Sequence, residues 1–103
     1  MVYRLDIPQW VERQIDDRIG YVVGILKNLS AAGAILDDIE LAYDHLKKMA
    51  EAYGYCTDPC LRAKNYRKIS LSSHDYIFVY KVEGDIVYLL GFFHMLEDYR
   101  TRL

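Results

Sequence analysis

NYRKISL (65–71), YIFVYKV (76–82) and DIVYLLGFF (85–93) are three runs crowded with Tyr, Val, Ile and Phe, separated by the short polar stretches SSHD and EGD. β-Branched and aromatic residues fit a pleated, half-buried surface, and short polar connections join antiparallel neighbours. The C-terminal half therefore predicts a three-stranded antiparallel meander. Such a sheet needs one face covered, and the preceding residues supply the cover. VYRLDI (2–7) alternates apolar and charged residues and stops at Pro8, which reads as a short strand able to join the sheet as an edge.

Between Pro8 and Leu29, apolar residues recur at helical spacing through Trp10, Val11, Ile15, Ile19, Val22 and Leu26. Proline suits the first turn of a helix, where its missing N–H has no partner to lose. NLS (28–30) interrupts the run, and Ser30 is placed to cap a second helix carrying Ile35, Ile39, Ala42, Leu46 and Met49 on one stripe, with Gly54 marking its end. Two amphipathic helices joined by so short a break fold back as an antiparallel hairpin. Gly20 and Gly24, four apart, predict close approach by a neighbouring element. The expected architecture is α+β in one domain, 1–103: an N-terminal strand, a helical hairpin, then a three-stranded antiparallel meander packed on the helices.

Composition narrows the classes of function. The 103 residues contain no stretch near the ~18 apolar residues of a membrane span, and the opening MVYRLDIPQW lacks the apolar core of a secretory signal, so a cytoplasmic protein without membrane attachment is expected. A net charge of −2 argues against a surface that wraps nucleic acid, yet Arg62, Lys64, Arg67 and Lys68 fall within seven positions and form a local cationic patch suited to an anionic partner. Cys56 and Cys60 are spaced C-x3-C with no ligands nearby to complete a four-coordinate site, so they read as free thiols, buried or partly so; no metal and no cofactor is implied. The ten tyrosines are many for this length, and those in the strands are expected on the outer face of the sheet.

In this order, LKNLSAAGAILDDIELAYDHLKKM (26–49) and DPCLRAKNYRKISLSSHDYIFVYKVEGDIVYLLGFFHMLEDY (58–99) resemble the RelE/ParE superfamily of toxins from bacterial type II toxin–antitoxin modules. The first stretch is similar to the family's helical hairpin. The second is similar to its sheet: a Tyr-Arg pair opening one strand, a Tyr-x-x-x-Tyr strand, and an apolar strand followed by Asp-Tyr. The resemblance covers nearly the whole chain and implies a cognate antitoxin as partner. It implies one of two targets, the ribosome with its mRNA or DNA gyrase.

Cleavage of mRNA through its 2′-hydroxyl needs a proton acceptor, cations on the phosphate and a donor for the leaving oxygen. By the resemblance, Lys68 matches a lysine of the nucleolytic pattern, and strand alternation puts it opposite Ile69 and Leu71, on what should be the sheet's open face. His94 and Tyr99 remain for proton transfer, so His94, Tyr99 and Lys68 are the catalytic candidates of an endonuclease. The pattern's further cations are replaced by Ser70, Ile77 and the pair Leu96-Glu97. Each lost phosphate contact is worth roughly 1.5–3 kcal/mol. That deficit favours a ParE-like gyrase inhibitor. The alternatives are a ribosome-dependent mRNA endonuclease with a rearranged site, and a degenerate toxin fold kept as a binding or regulatory module. Arg62, Lys64, Arg67 and Lys68 are the expected contacts to antitoxin or target. His45 and His74, on a helix and in a turn, support no role.

Overall fold

The computed structural model describes residues 2–103. Strand β1 (Arg4–Asp6) leads into helices α1 (Gln9–Gly24) and α2 (Leu29–Met49), a 3-10 turn, a short helix α3 (Pro59–Ala63), and strands β2 (Arg67–Ser70), β3 (Tyr76–Glu83) and β4 (Ile86–His94). The sheet order is β1-β4-β3-β2, with β2, β3 and β4 antiparallel and β1 added as a parallel edge beside β4. The expected strand, helical hairpin and meander are all present. β3 and β4 are joined through Gly84 and Asp85, with Gly84 at φ +62, the backbone region that tight hairpin turns require and that glycine enters without strain.

α1 stops at Gly24, earlier than its apolar period suggests, because the chain turns through Lys27 at φ 54. Asn28, not Ser30, caps α2: its Oδ1 accepts the Ala31 N–H at 3.0 Å, whereas Ser30 is already inside the first turn. Leu26 and Met49, expected on the buried stripes, lie at the helix ends and are exposed. An added Cβ at Gly20 or Gly24 would meet open space, so neither glycine admits a close neighbour. The stretch after Tyr55, expected as plain loop, contains α3 because Asp58 caps it, accepting the N–H groups of Cys60 and Leu61, and Pro59 occupies its first turn. Cys56 is buried as expected, but Cys60 is exposed.

The helices cover one face of the sheet, where Val11, Ile15, Ile35, Leu46, Phe78 and Phe92 belong to one buried cluster. Tyr76 and Tyr80 also face this side, against the expectation of an outer tyrosine face. Tyr80 is fully buried, with its hydroxyl donating to the Ala50 carbonyl at 2.6 Å. The second face is covered too. Ile77, Val79 and Phe93 pack there with Cys56 and Leu61 under a roof completed by Tyr66, Tyr99 and Leu103. The face expected to be open is closed because its outward residues are large and apolar and gain by leaving water.

α1 also completes the sheet. β1 pairs only with Ile86–Tyr88, leaving the rest of that β4 edge without a strand. Trp10 Nε1–H donates to the Leu90 carbonyl at 3.1 Å, and the Phe92 N–H donates to Gln14 Oε1 at 2.9 Å. Trp10 and Gln14 are one turn apart on α1, and they satisfy edge groups that would otherwise invite pairing with another chain.

Two side-chain arrangements lead to measurable expectations. On α2, Asp38 interrupts the apolar stripe and is buried, with Oδ2 accepting the Ser73 N–H at 2.8 Å and meeting His74 Nδ1 at 2.6 Å. The His74 bond holds the Asp38 carboxyl below its ordinary pKa of 3.8. A carboxyl whose pKa falls on folding stabilises the fold above its unfolded pKa, and that contribution disappears as pH drops through the folded value. Asp38→Ala should cost ~1–3 kcal/mol near neutral pH by leaving the Ser73 amide and His74 without their acceptor. Urea unfolding at stepped pH should show the gap from wild type closing below pH 3.8. At Gly91, an added Cβ would lie 2.2 Å from Phe93 Cε2. Gly91→Ala should therefore displace the Phe93 ring and Tyr99 stacked on it, at a cost of about 1–3 kcal/mol, read from the denaturant midpoint and the near-ultraviolet dichroism.

Candidate functional site

His94 ends β4 paired with Tyr76 of β3, and the two rings meet edge to face with centroids 5.5 Å apart. Since Tyr76 packs on the helix-side cluster, His94 belongs to that face. Phe93, one residue earlier, points the opposite way and stacks on Tyr99 at 5.2 Å. Tyr99 thus belongs to the roofed face, where burial raises its hydroxyl pKa above the ordinary 10.0. Lys68 is paired with Val79 on that second face, beside buried Cys56. The three candidates for an endonuclease are consequently split, with His94 on one side of the sheet and Tyr99 and Lys68 on the other. Ile77 and Val79 are buried on that second side, and the shallow cavity at Tyr99 is lined by Asp58, Glu97 and Asp98, with Arg100 as its cation. Arg100 is itself paired with Asp58 at 3.4 Å.

The basic cluster is largely engaged in holding the chain together. Arg67 donates to the Tyr53 carbonyl at 2.5 Å, the Glu51 carbonyl at 3.3 Å and the Tyr55 hydroxyl at 2.9 Å, with its guanidinium 4.0 Å above the Tyr55 ring. Arg62 lies over the same ring at 4.9 Å. Lys64 donates to the Leu103 carbonyl at 3.1 Å and fastens the C-terminal tail. Lys68 Nζ has no polar partner among the described residues.

The fold instead brings cations to His94 from elsewhere, which corrects the expectation of a histidine without nearby positive charge. A cavity of about 300 Å³ opens between α1 and the end of β4, lined on one side by Gln14, Asp17, Arg18 and Tyr21, and on the other by His94, Glu97 and Arg102. Arg18 lies over the rings of Tyr21 at 5.7 Å and Tyr76 at 5.6 Å, an attraction of the cation for the ring faces that fixes its guanidinium above the cavity. Arg102 is bound to Glu97, whose other oxygen accepts the His94 N–H at 3.1 Å. His94 Nδ1 accepts the Leu96 N–H at 3.2 Å, which places the proton of the neutral imidazole on Nε2.

Asp38 and His74 were also missed, although an aspartate at 38 between Ile35, Ile39 and Ala42 on one helical stripe was a visible sign of a buried polar partner. His74 and His94 line a second cavity of about 320 Å³ whose walls are Val22, Leu26, Ala31 and Ile35. Among the described residues, no group of three or more His, Cys, Asp or Glu is arranged to hold a metal ion, and no helix is long and apolar enough to cross a membrane.

No family model matches the sequence, and no curated protein does. Among solved structures the chain is similar to one from the chromosomal ParDE TA system of P. aeruginosa, with 17% sequence identity and a TM-score of 0.72 over 90% of this chain and 96% of that one. The likeness is one of fold. The strand, helical hairpin and meander implied by the RelE/ParE resemblance are the architecture the two chains share.

The roles of Arg67 and Lys68 separate by stability. Arg67→Met should cost about 1.5–3 kcal/mol by orphaning two backbone carbonyls and the Tyr55 hydroxyl, whereas Lys68→Met should stay within about 0.5 kcal/mol of wild type in denaturant titrations.

Proposed function

We propose that this chain is the toxin of a type II toxin–antitoxin module, neutralised by an antitoxin encoded beside it, and that it acts in the ParE manner by inhibiting DNA gyrase. The fold shared with a chain of a ParDE system supports the module. The observation that carries the preference for a non-nucleolytic activity is the division between Phe93 and His94. Their alternation along β4 sets His94 on the helix face and Tyr99 on the roofed face, so acid, base and cation do not surround one phosphate. Ile77, where the resemblance would put a phosphate-binding arginine, is buried in an apolar cluster.

One observation favours a second reading, a ribosome-dependent mRNA endonuclease centred on His94. Arg18 and Arg102 line the cavity beside the imidazole. Asp17 and Glu97 line it as well, and Arg102 is bound to Glu97, so the positive potential available to a scissile phosphate is largely cancelled.

Purified protein added to programmed ribosomes should leave the mRNA intact, while inhibiting supercoiling by purified gyrase and arresting growth with a DNA-damage response when expressed. Message cleavage abolished by His94→Ala would reverse the preference for gyrase. Expression with no growth defect would point to a fold retained only for binding.

A further inference from the structure

We infer that the groove between α1 and the His94 end of the sheet docks a protein segment presenting a carboxylate beside an aliphatic side chain. The inference rests on the reading that the chain has a neutralising protein partner, and it names the chemistry and place of that contact.

The polar half of the groove is rich in unengaged donors. Arg18 is half-buried and held over two tyrosine rings, yet none of the ion pairs among the described residues includes it. Gln14 Oε1 is engaged by the Phe92 N–H, which leaves its amide hydrogens free. His94 accepts at Nδ1 and so offers Nε2–H. Glu97 is already engaged within the chain, one oxygen taking the His94 N–H and the other Arg102. Asp17 in this cavity and Asp75 in the adjoining one are the lining carboxylates with no side-chain partner in the described structure. A fixed, partnerless guanidinium with two further donors is complementary to a carboxylate, which its planar fork can bind through two parallel hydrogen bonds.

Charge chooses between sources of anionic oxygen. Across the two cavities the lining holds Asp17, Asp75 and Glu97 against Arg18 and Arg102, and the chain carries a net charge of −2. A polyanionic nucleic-acid backbone gains little from such a field, because its binding depends on several uncompensated cations. A single carboxylate needs one.

The apolar half fixes the rest of the ligand. The second cavity shares Tyr76 and His94 with the first; its apolar wall is Val22 of α1, Leu26 of the following turn, and Ala31 and Ile35 of α2, and His74 and Asp75 also line it. Arg18 and Val22 are one turn apart on α1, about 6 Å along its axis. That spacing matches side chains one turn apart on a partner helix, or alternate residues on an extended strand. Ile25 and Leu29 extend the apolar surface at the helical tip, where they are 68% and 74% exposed.

The test measures binding of the co-encoded antitoxin to the full chain and to Arg18→Gln, Arg18→Lys and Ala31→Phe, with denaturant titration of each to establish that it is folded. Arg18→Gln should weaken the complex about tenfold or more and reduce its salt dependence. Arg18→Lys should recover part of the loss, and Ala31→Phe should weaken binding by filling the apolar cavity. Unchanged affinity in folded Arg18→Gln and Ala31→Phe overturns the groove while leaving the toxin–antitoxin reading intact. If no co-encoded protein binds, that reading falls and the groove is judged with a blocked peptide carrying Glu and Leu at i and i+4. Nuclear magnetic resonance shifts confined to Arg18, His94 and Ala31, lost when Gln replaces Glu, would sustain it. No shifts, or displacement of the peptide by a single-stranded oligoribonucleotide, would overturn it.

Discussion

β3 and β4 are apolar on both faces, and this constraint organises the molecule. Phe78, Tyr80, Leu89 and Phe92 must be covered from one side, Ile77, Val79 and Phe93 from the other. The helical hairpin satisfies the first demand. The second draws in the segment around Cys56, the short helix α3 and the C-terminal tail, fastened by Lys64 to Leu103 and Arg100 to Asp58. Burial of a large aromatic side chain is worth about 1.5–3 kcal/mol, more than exposed ion pairs supply. The apolar cluster therefore holds the roof in place, and the charged contacts set its register.

That second covering decides where chemistry can occur. It occupies the sheet face on which the RelE/ParE resemblance would assemble a nucleolytic site, and it uses Tyr99 as part of the roof. Nor does the basic cluster lie free beside it. Arg67 bridges the 3-10 turn after α2 to β2, and its planar guanidinium meets two carbonyls and a hydroxyl in a way that an ammonium could not. The unengaged polar groups lie on the helix side, where α1 closes the edge of β4 through Trp10 and Gln14 and carries Arg18 up to His94. One helix thus protects a strand edge and builds a cavity. At 17% identity to its structural neighbour, the chain can keep the architecture while the side chains on both faces take different duties.

The architecture was legible in the residues because local patterns specify it. Helical spacing from Trp10 to Leu26 and from Ile35 to Met49 announces the hairpin, and dense aromatic and β-branched runs announce the meander. Two signs were present and underweighted. The nearly continuous apolar stretch of β3 and β4, rather than strict alternation, marks strands buried on both faces. Asp-Pro before Cys60 marks a helix start. The capping of α2 by Asn28 and the exposure of Leu26 and Met49 were harder to foresee, because helix ends depend on one or two backbone angles.

By itself, then, the sequence determined the order and kind of the elements, the pairing of neighbouring strands and the family resemblance, all properties of residues near one another along the chain. It also fixed, through strand alternation, that Phe93 and His94 face opposite ways. Only the tertiary structure decided that Arg67 braces the fold, that Asp38 reaches His74, and that Arg18 meets His94 across a cavity. Those meetings join residues far apart in sequence, and they depend on the packing of α1 and α2 against both ends of the sheet, which no local period records.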